Sequence, residues 1–239
     1  MRNTLFKIFL IPVISFLGAT YAQESSTSSG TFFGTSYSFQ TAADDEKTTL
    51  SYGETLRDVL GAEVSNDVTW NITDMNSNEV VVSGSGDALA KYVFAKPGMY
   101  QVDINENLVH DPNTCNHNHF PEKLFVTVSP LKMDFDFSTV KLSREIAGGQ
   151  PTSGTTLTVD VRFTSYDNST AVYDKAFRTA GVRTSVIGKL KNGKTTLREG
   201  VNTLEFQLEG QAAKGTYIMI DFIDVNGVMQ SYSLTNKIQ

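Results

Sequence analysis

The sequence predicts an all-β protein built from two β-sandwiches in tandem. Short runs of β-branched and aromatic residues recur along the chain, and clusters of turn-forming residues separate them. Apolar residues almost never repeat at the 3.6-residue period of a helix. One short sequence pattern also occurs near the end of each half. Many short strands at this spacing are typical of sandwiches.

The first half contains four predicted strands between residue 48 and Pro130. Residues 68–72 and 79–82 are β-branched or aromatic runs, and Asp, Asn and Ser residues separate them. Residues 99–104 and 124–128 form the other two. Pro130 then ends this half, because proline removes a hydrogen-bond donor from a sheet.

The second half repeats this style. One further strand is expected at residues 134–137, with its carboxylates facing outward. The tight turn Asp224-Val-Asn-Gly227 predicts a hairpin between the last two strands. Helical turns are expected only at 55–60 and 173–178. The remaining predicted strands are 157–163, 185–187, 202–208, 217–222 and 228–234.

The two halves share a Gly-x-Tyr-x-apolar pattern. It occurs at Gly98-Met-Tyr100-Gln-Val102 and again at Gly215-Thr-Tyr217-Ile-Met219, each time leading into the next-to-last strand. Such a tyrosine can bury its ring while its hydroxyl bonds back to the preceding turn, as in a tyrosine corner. The repeat favours two tandem immunoglobulin-like domains, at 48–130 and 131–239. The expected cores contain Trp70, Tyr100 and Val102 in the first, and Phe206, Tyr217 and Ile220 in the second.

Residues 48–129 resemble the PKD-type immunoglobulin-like domain. Val68-Thr-Trp70 matches the family's early strand, and Tyr92-Val-Phe-Ala-Lys-Pro-Gly-Met-Tyr-Gln-Val102 matches its closing signature. The family's Trp-x-Phe-Gly-Asp-Gly is here Trp70-Asn-Ile-Thr-Asp-Met, without the glycines that tighten the turn. The resemblance implies a non-catalytic spacer or binding module. Residues 131–239 resemble a generic immunoglobulin-like module, and the whole chain resembles exported proteins of the Bacteroidota.

The first 22 residues predict a secretory signal peptide. Arg2 and Lys7 supply the positive end, residues 8–17 form the apolar run, and small residues stand at the cleavage position. The mature chain is expected to begin near Gln23 and to reside outside the cytoplasm, in the periplasm, at the cell surface or secreted. Residues 23–47 are expected to form a linker or arm. Within that arm, alternating aromatic residues at 31–39 indicate a strand, paired with the chain's own domain or completed by a partner.

Composition excludes some classes of partner. The formal net charge of −6 is unfavourable for binding nucleic acid, which rewards basic surfaces. After the leader, no stretch is apolar enough to span a membrane. The single cysteine excludes an internal disulfide. The predicted signal peptide and the resemblance to PKD-type domains imply other surface or secreted proteins as partners, with an oligomeric assembly possible.

All three histidines and the only cysteine fall within residues 110–119. His110, Cys115, His117 and His119 together make one tetrahedral ligand set for a borderline-soft metal. Zinc is the first expectation and copper the second, on ligand softness. The alternative is a solvent-exposed polar loop whose His and Cys are incidental or pack on a partner. No other cofactor is expected.

The same region also contains carboxylates. Asp103, Glu106 and Asp111 could collect Ca²⁺, but they lack the spacing of an EF-hand loop, and solvated turn carboxylates are the preferred interpretation. The sequence contains no Gly-x-Ser-x-Gly elbow, phosphate-binding glycine loop or His-Glu-x-x-His helix. We therefore expect no catalytic residues. The expected function is a non-enzymatic structural or binding component of a cell-surface assembly, with metal binding by the 110–119 loop as the alternative.

Overall fold

The computed structural model describes residues 46–61, 64–106, 120–234 and 237–239. Within these ranges the chain forms fourteen strands and two helices of four residues each, so the all-β class is confirmed. Neither helix in these ranges is long or apolar enough to cross a membrane. The helices are α1 (Arg57–Leu60) and α2 (Ala88–Lys91). The strands are β1 (Glu46–Ser51), β2 (Thr69–Asp74), β3 (Glu79–Ser85), β4 (Gly98–Asn105), β5 (Lys123–Ser129), β6 (Leu131–Leu142), β7 (Thr156–Ser165), β8 (Ala171–Tyr173), β9 (Phe177–Ala180), β10 (Ile187–Leu190), β11 (Thr195–Leu197), β12 (Gly200–Glu209), β13 (Met219–Ile223) and β14 (Met229–Ser233).

Residues 46–129, which we call the first unit, form one five-stranded sheet in the order β1-β5-β4-β2-β3. β1 runs parallel to β5, and the other neighbours are antiparallel. One face of the sheet is buried, and Trp70, Tyr100 and Val102 lie on it as expected. In the described residues this face is covered by α1, α2 and the segment around Phe94. The helical turn expected at 55–60 is therefore confirmed as α1.

Residues 131–239, the second unit, form a seven-stranded sheet and a two-stranded one. Their orders are β14-β13-β9-β10-β12-β7-β6 and β11-β8. The side chain of Gln230 joins the two edge strands of the larger sheet. Its Oε1 accepts the Phe135 N–H at 3.2 Å, and its Nε2 donates to the Met133 carbonyl at 2.9 Å. The amide thus takes the place of a peptide group and satisfies edge groups of β6.

The helical turn expected at 173–178 is wrong. β8 ends at Tyr173, and β9 begins at Phe177. Both aromatic rings are almost fully buried, and the Tyr173 hydroxyl donates to the Ile223 carbonyl at 2.8 Å. Tertiary packing therefore overrides the local preference for a helix.

The two matching tyrosines have different environments. Tyr100 is 6% exposed, and its hydroxyl donates to the Lys96 carbonyl at 3.0 Å, as the tyrosine-corner prediction required. Tyr217 is 58% exposed, so its predicted place in the second core is wrong. β13 begins only at Met219, and the inward position next to Tyr217 is taken by Ile218. A shift of one residue reverses the side that each side chain faces. The other two expected core residues of the second unit, Phe206 and Ile220, are buried as predicted.

These environments give unequal expectations for two alanine variants. Tyr100→Ala should lower the free energy of unfolding by about 3–5 kcal/mol, because it removes a buried ring. Tyr217→Ala should change it by no more than about 0.5 kcal/mol, because its ring is largely in water. Denaturant unfolding followed by circular dichroism measures both. Equal losses in the two variants would contradict the assignment of Tyr217 to the surface.

The two units meet directly, since β5 ends at Ser129 and β6 begins at Leu131. We call the meeting region, residues 51–54, 129–132, 166 and 224–227, the junction. There the rings of Tyr52 and Tyr166 pack edge to face with centroids 5.7 Å apart. Lys132 Nζ lies 3.5 Å from Glu54 Oε1. The buried apolar residues form two separate clusters, within 50–128 and within 133–238.

Candidate functional site

The predicted metal ligands lie outside the described residues. His110, Cys115, His117 and His119 all belong to the range 107–119, as does Asp111 of the calcium alternative. The predicted signal peptide and the aromatic segment 31–39 also lie outside the described residues. Among the side chains that the structure does describe, no three His, Cys, Asp or Glu residues are grouped closely enough to hold a metal ion.

The residues that flank the segment 107–119 are described, and hydrogen bonds join them. Phe120 donates its N–H to Glu106 Oε1 at 2.8 Å, and the Phe120 ring packs against the first core. One step inward, the Ile104 N–H bonds to the Glu122 carbonyl at 2.9 Å. β5 leaves this end of the sheet and reaches the junction at Ser129. The loop therefore starts and finishes at the pole of the first unit opposite the junction.

Two carboxylates at this pole accept hydrogen bonds from nearby residues. Asp103 Oδ1 accepts the side-chain amide of Gln101 at 2.7 Å, and Glu106 Oε1 accepts the Phe120 N–H. These two members of the calcium alternative therefore serve local hydrogen bonds. Glu46, which pairs with Leu124 at the same pole, differs from them. Its Oε2 is buried without a hydrogen-bond partner among the described residues, and burial raises the pKa of this carboxyl.

The outer face of the first sheet carries a shallow, open groove of about 340 Å³ next to the same pole. Its polar lining comes from three neighbouring strands and offers hydroxyl, amide and carboxylate groups. On the inner side of the sheet, the Trp70 ring lies against Gly84, where an added Cβ would come within 2.5 Å of Trp70 Cζ2. Trp70 Nε1 donates to the Gly86 carbonyl at 3.2 Å. The polar residues of the groove are Thr69, Asn71, Ser83, Asp103 and Asn105.

The carboxyls with strongly shifted pKa values lie away from this groove. Hydrogen bonds from Ser165 and Ser169 lower the pKa of Asp167 to about 2 in an exposed turn of the second unit. Burial raises the pKa of Asp224 to about 6 at the junction. Catalytic sites bring such groups together in one cleft. Here each shift belongs to a separate turn, and each has a local structural cause.

No protein-family model and no curated protein matches this chain. The resemblance to PKD-type domains therefore remains a prediction from the quoted residues. The first unit has a polar groove and the joined residues Glu106 and Phe120 at one pole. At the other pole it packs on the second unit at the junction.

Proposed function

We propose that this chain is an exported, non-enzymatic structural or binding component of a cell-surface assembly. In this proposal residues 48–130 form a PKD-type immunoglobulin-like domain, and residues 131–239 form a second immunoglobulin-like domain. The observation that carries it is the arrangement of the first unit. One end packs on the second unit without a spacer, while the opposite end carries a polar groove and the joined residues Glu106 and Phe120, which flank the segment 107–119.

Three features support an immunoglobulin-like identity for the first unit. The neighbours β5, β4, β2 and β3 resemble the G-F-C-C′ order of variable-type domains. Trp70 is buried on the strand that corresponds to strand C. Tyr100 makes the upstream hydrogen bond of a tyrosine corner. Domains of this kind bind partners through the loops at their poles, which is where the 107–119 loop is attached.

Export is supported by the leader at 1–22 and tested by cell fractionation. The mature chain is expected outside the cytoplasm, with an N-terminus at or within a few residues of Gln23. Mass spectrometry of the isolated chain identifies that terminus. Recovery of the bulk protein in the cytoplasm with Met1 intact would overturn the proposed location.

The second candidate function is binding of zinc or copper by the 107–119 loop. Sequence supports it through the ligand set of His110, Cys115, His117 and His119. The hydrogen bond between Glu106 and Phe120 supports it as well. Because this bond brings the flanking residues together, the entropy cost of gathering the ligands is lower. At the same pole, Glu46 pairs with Leu124 in the sheet, and its Oε2 has no hydrogen-bond partner among the described residues.

Metal content of the purified full chain separates the two candidates. Metal binding predicts about one equivalent of zinc or copper after purification without a histidine tag, measured by mass spectrometry of the elements. The double variant His117→Ala, His119→Ala should lose it. The matched control Asn116→Ala, Asn118→Ala changes the same number of side chains in the same loop and should keep it. Metal-free protein that still assembles with partners would leave only the first function.

A further inference from the structure

We propose that hairpin residues 224–227 form a latch that holds the first unit against the second, and that protonation of Asp224 tightens this latch. Such a latch would act whatever the chain binds, so it goes beyond the proposed function. It consists of one amide that bridges the two units and one buried carboxylate that positions the amide.

The bridging amide belongs to Asn226. Its Nδ2 donates to Ser51 Oγ at 3.1 Å and to the Leu131 carbonyl at 2.8 Å. Ser51 ends β1 of the first unit and is only 3% exposed, while Leu131 begins β6. Both hydrogens of the Asn226 side-chain amide therefore form hydrogen bonds at the junction. Removing this side chain would leave the buried Ser51 hydroxyl with fewer partners, which is costly in a buried setting.

Asp224 fixes the shape of the hairpin that carries Asn226. Its Oδ1 accepts the backbone N–H of Asn226 at 2.7 Å and that of Val228 at 2.8 Å. This is the pattern by which an aspartate at the start of a turn holds the next residues in place. Gly227 completes the turn with a φ of 84°. The carboxylate thus determines where the Asn226 amide points.

The surroundings of Asp224 make its charge unfavourable while the junction is closed. Asp224 is 3% exposed, and burial raises its pKa to about 6. The two backbone N–H groups work against this shift, and two neighbouring carboxylates add to it. Part of the effect comes from the first unit, because one of these carboxylates is that of Glu54. The charged groups that act on Asp224 are Glu54 and Asp134, and the charge of Asp224 acts in turn on Tyr173. Lys132 lies 3.5 Å from Glu54.

The raised pKa of Asp224 determines how the stability of the junction changes with pH. Separating the units removes Glu54 from the surroundings of Asp224, so the pKa of this carboxyl shifts back in the direction of the ordinary 3.8. The closed junction therefore binds a proton more tightly than the open one. Its extra stability is fully present below pH 3.8 and is lost as the pH rises through 6. Between pH 5.0 and 7.5 the equilibrium constant for opening should increase by up to about tenfold, the value for a full return to 3.8.

Amide hydrogen exchange of the full chain, followed by NMR, measures this opening. The Tyr166 N–H reports on the junction, because it bonds to the Pro130 carbonyl at 2.8 Å while the Tyr166 ring packs on Tyr52 of the first unit. The Val228 N–H reports on the hairpin. After correction for the intrinsic exchange rate, protection at both amides should fall by up to about tenfold from pH 5.0 to 7.5. Leu204, in the middle of β12, reports on global unfolding, which also releases Asp224, so its protection serves only to show that the junction opens more often than the whole chain unfolds.

Variants separate the carboxylate from the amide. Asp224→Asn keeps an oxygen acceptor but cannot ionise, so protection at Tyr166 should become independent of pH. Asn226→Ala should lower that protection by about tenfold at both pH values, because it removes both hydrogen bonds. The matched control is Asn192→Ala, in the comparable Asn-Gly turn after β10, where no contact with the first unit exists among the described hydrogen bonds.

Two results would overturn the latch. One is a pH-dependent change at Val228 without any change at Tyr166, which would confine the titration to the hairpin. The other is unchanged protection of Tyr166 in Asn226→Ala. If Asp224→Asn does not fold, the pH series on the natural chain decides alone, and a flat profile at Tyr166 rejects the proposal.

Discussion

Replacement of Phe222 by alanine is expected to lower the free energy of unfolding by about 3–5 kcal/mol. Phe222 is fully buried in the second unit, where four other phenylalanine rings surround it. Its ring centroid lies 4.8 Å from that of Phe135 and 5.0 Å from that of Phe177. Phe137 and Phe206 follow at 5.8 and 5.9 Å. Alanine would leave a cavity that these rings cannot all close.

Chemical denaturation of the purified chain measures this loss. Phe222→Leu serves as the matched variant, because it keeps much of the apolar volume and should cost less than Phe222→Ala. A loss below about 1 kcal/mol in Phe222→Ala would contradict the central position of this ring in the second core. Such a result would mean that β6, β9, β12 and β13 do not pack around Phe222 as described.

Gly210→Ala is expected to destabilise the chain by more than the same change at Gly200. Gly210 follows the end of β12 and Gly200 is its first residue, and their φ values of 94° and 100° are strained for alanine. That conformation costs about 1–2 kcal/mol at either site. At Gly210 a Cβ would also lie 2.1 Å from the Ser185 carbonyl oxygen, whereas no atom lies within 4 Å at Gly200. The clash should add about 1–3 kcal/mol.

The difference between these two variants isolates the clash from the backbone strain. The Ser185 backbone has little freedom to retreat, since its N–H bonds to the Gln211 carbonyl at 2.9 Å. Thermal unfolding by differential scanning calorimetry compares the two variants under one set of conditions. Equal losses at Gly210 and Gly200 would mean that the approach of Ser185 to this turn is not as described.

Short runs of β-branched and aromatic residues between turn residues were enough to predict the central strands. The runs at 68–72, 99–104 and 124–128 became β2, β4 and β5, because one face of each strand is buried and the other faces water. β8 and β11 were not predicted, since three-residue strands leave too short a pattern to recognise. They exist because Tyr173 and Leu197 are buried in the second core.

The repeated tyrosine pattern shows where local sequence stops being informative. At Tyr100 the strand has already begun at Gly98, so the ring faces inward. At Tyr217 the preceding residues bond instead to the C-terminal segment, with the Gly215 N–H donated to the Ile238 carbonyl. This long-range pairing delays the start of β13 and leaves Tyr217 on the surface. Nothing within the pattern itself distinguishes the two cases.

At the candidate site, too, the sequence predicted some features and not others. The sequence alone indicated the His and Cys residues of the segment 107–119. The structure describes the residues that flank it, Glu106 and Phe120, and the hydrogen bond between them. The turn at 224–227 was recognised from its Asn-Gly pair and is confirmed as the β13–β14 hairpin. Its role at the junction was not predictable, since Asn226 and Ser51 are 175 residues apart in the chain.

Crosslinking in living cells tests the proposed function most directly. A short, membrane-permeable crosslinker is applied to cells that produce the chain at its natural level, and extracytoplasmic proteins are then isolated. We expect the chain in one discrete, larger species of constant composition, with the partner identified by mass spectrometry. A chain that remains monomeric, with no crosslinked species in any fraction, would contradict its role as a component of a cell-surface assembly.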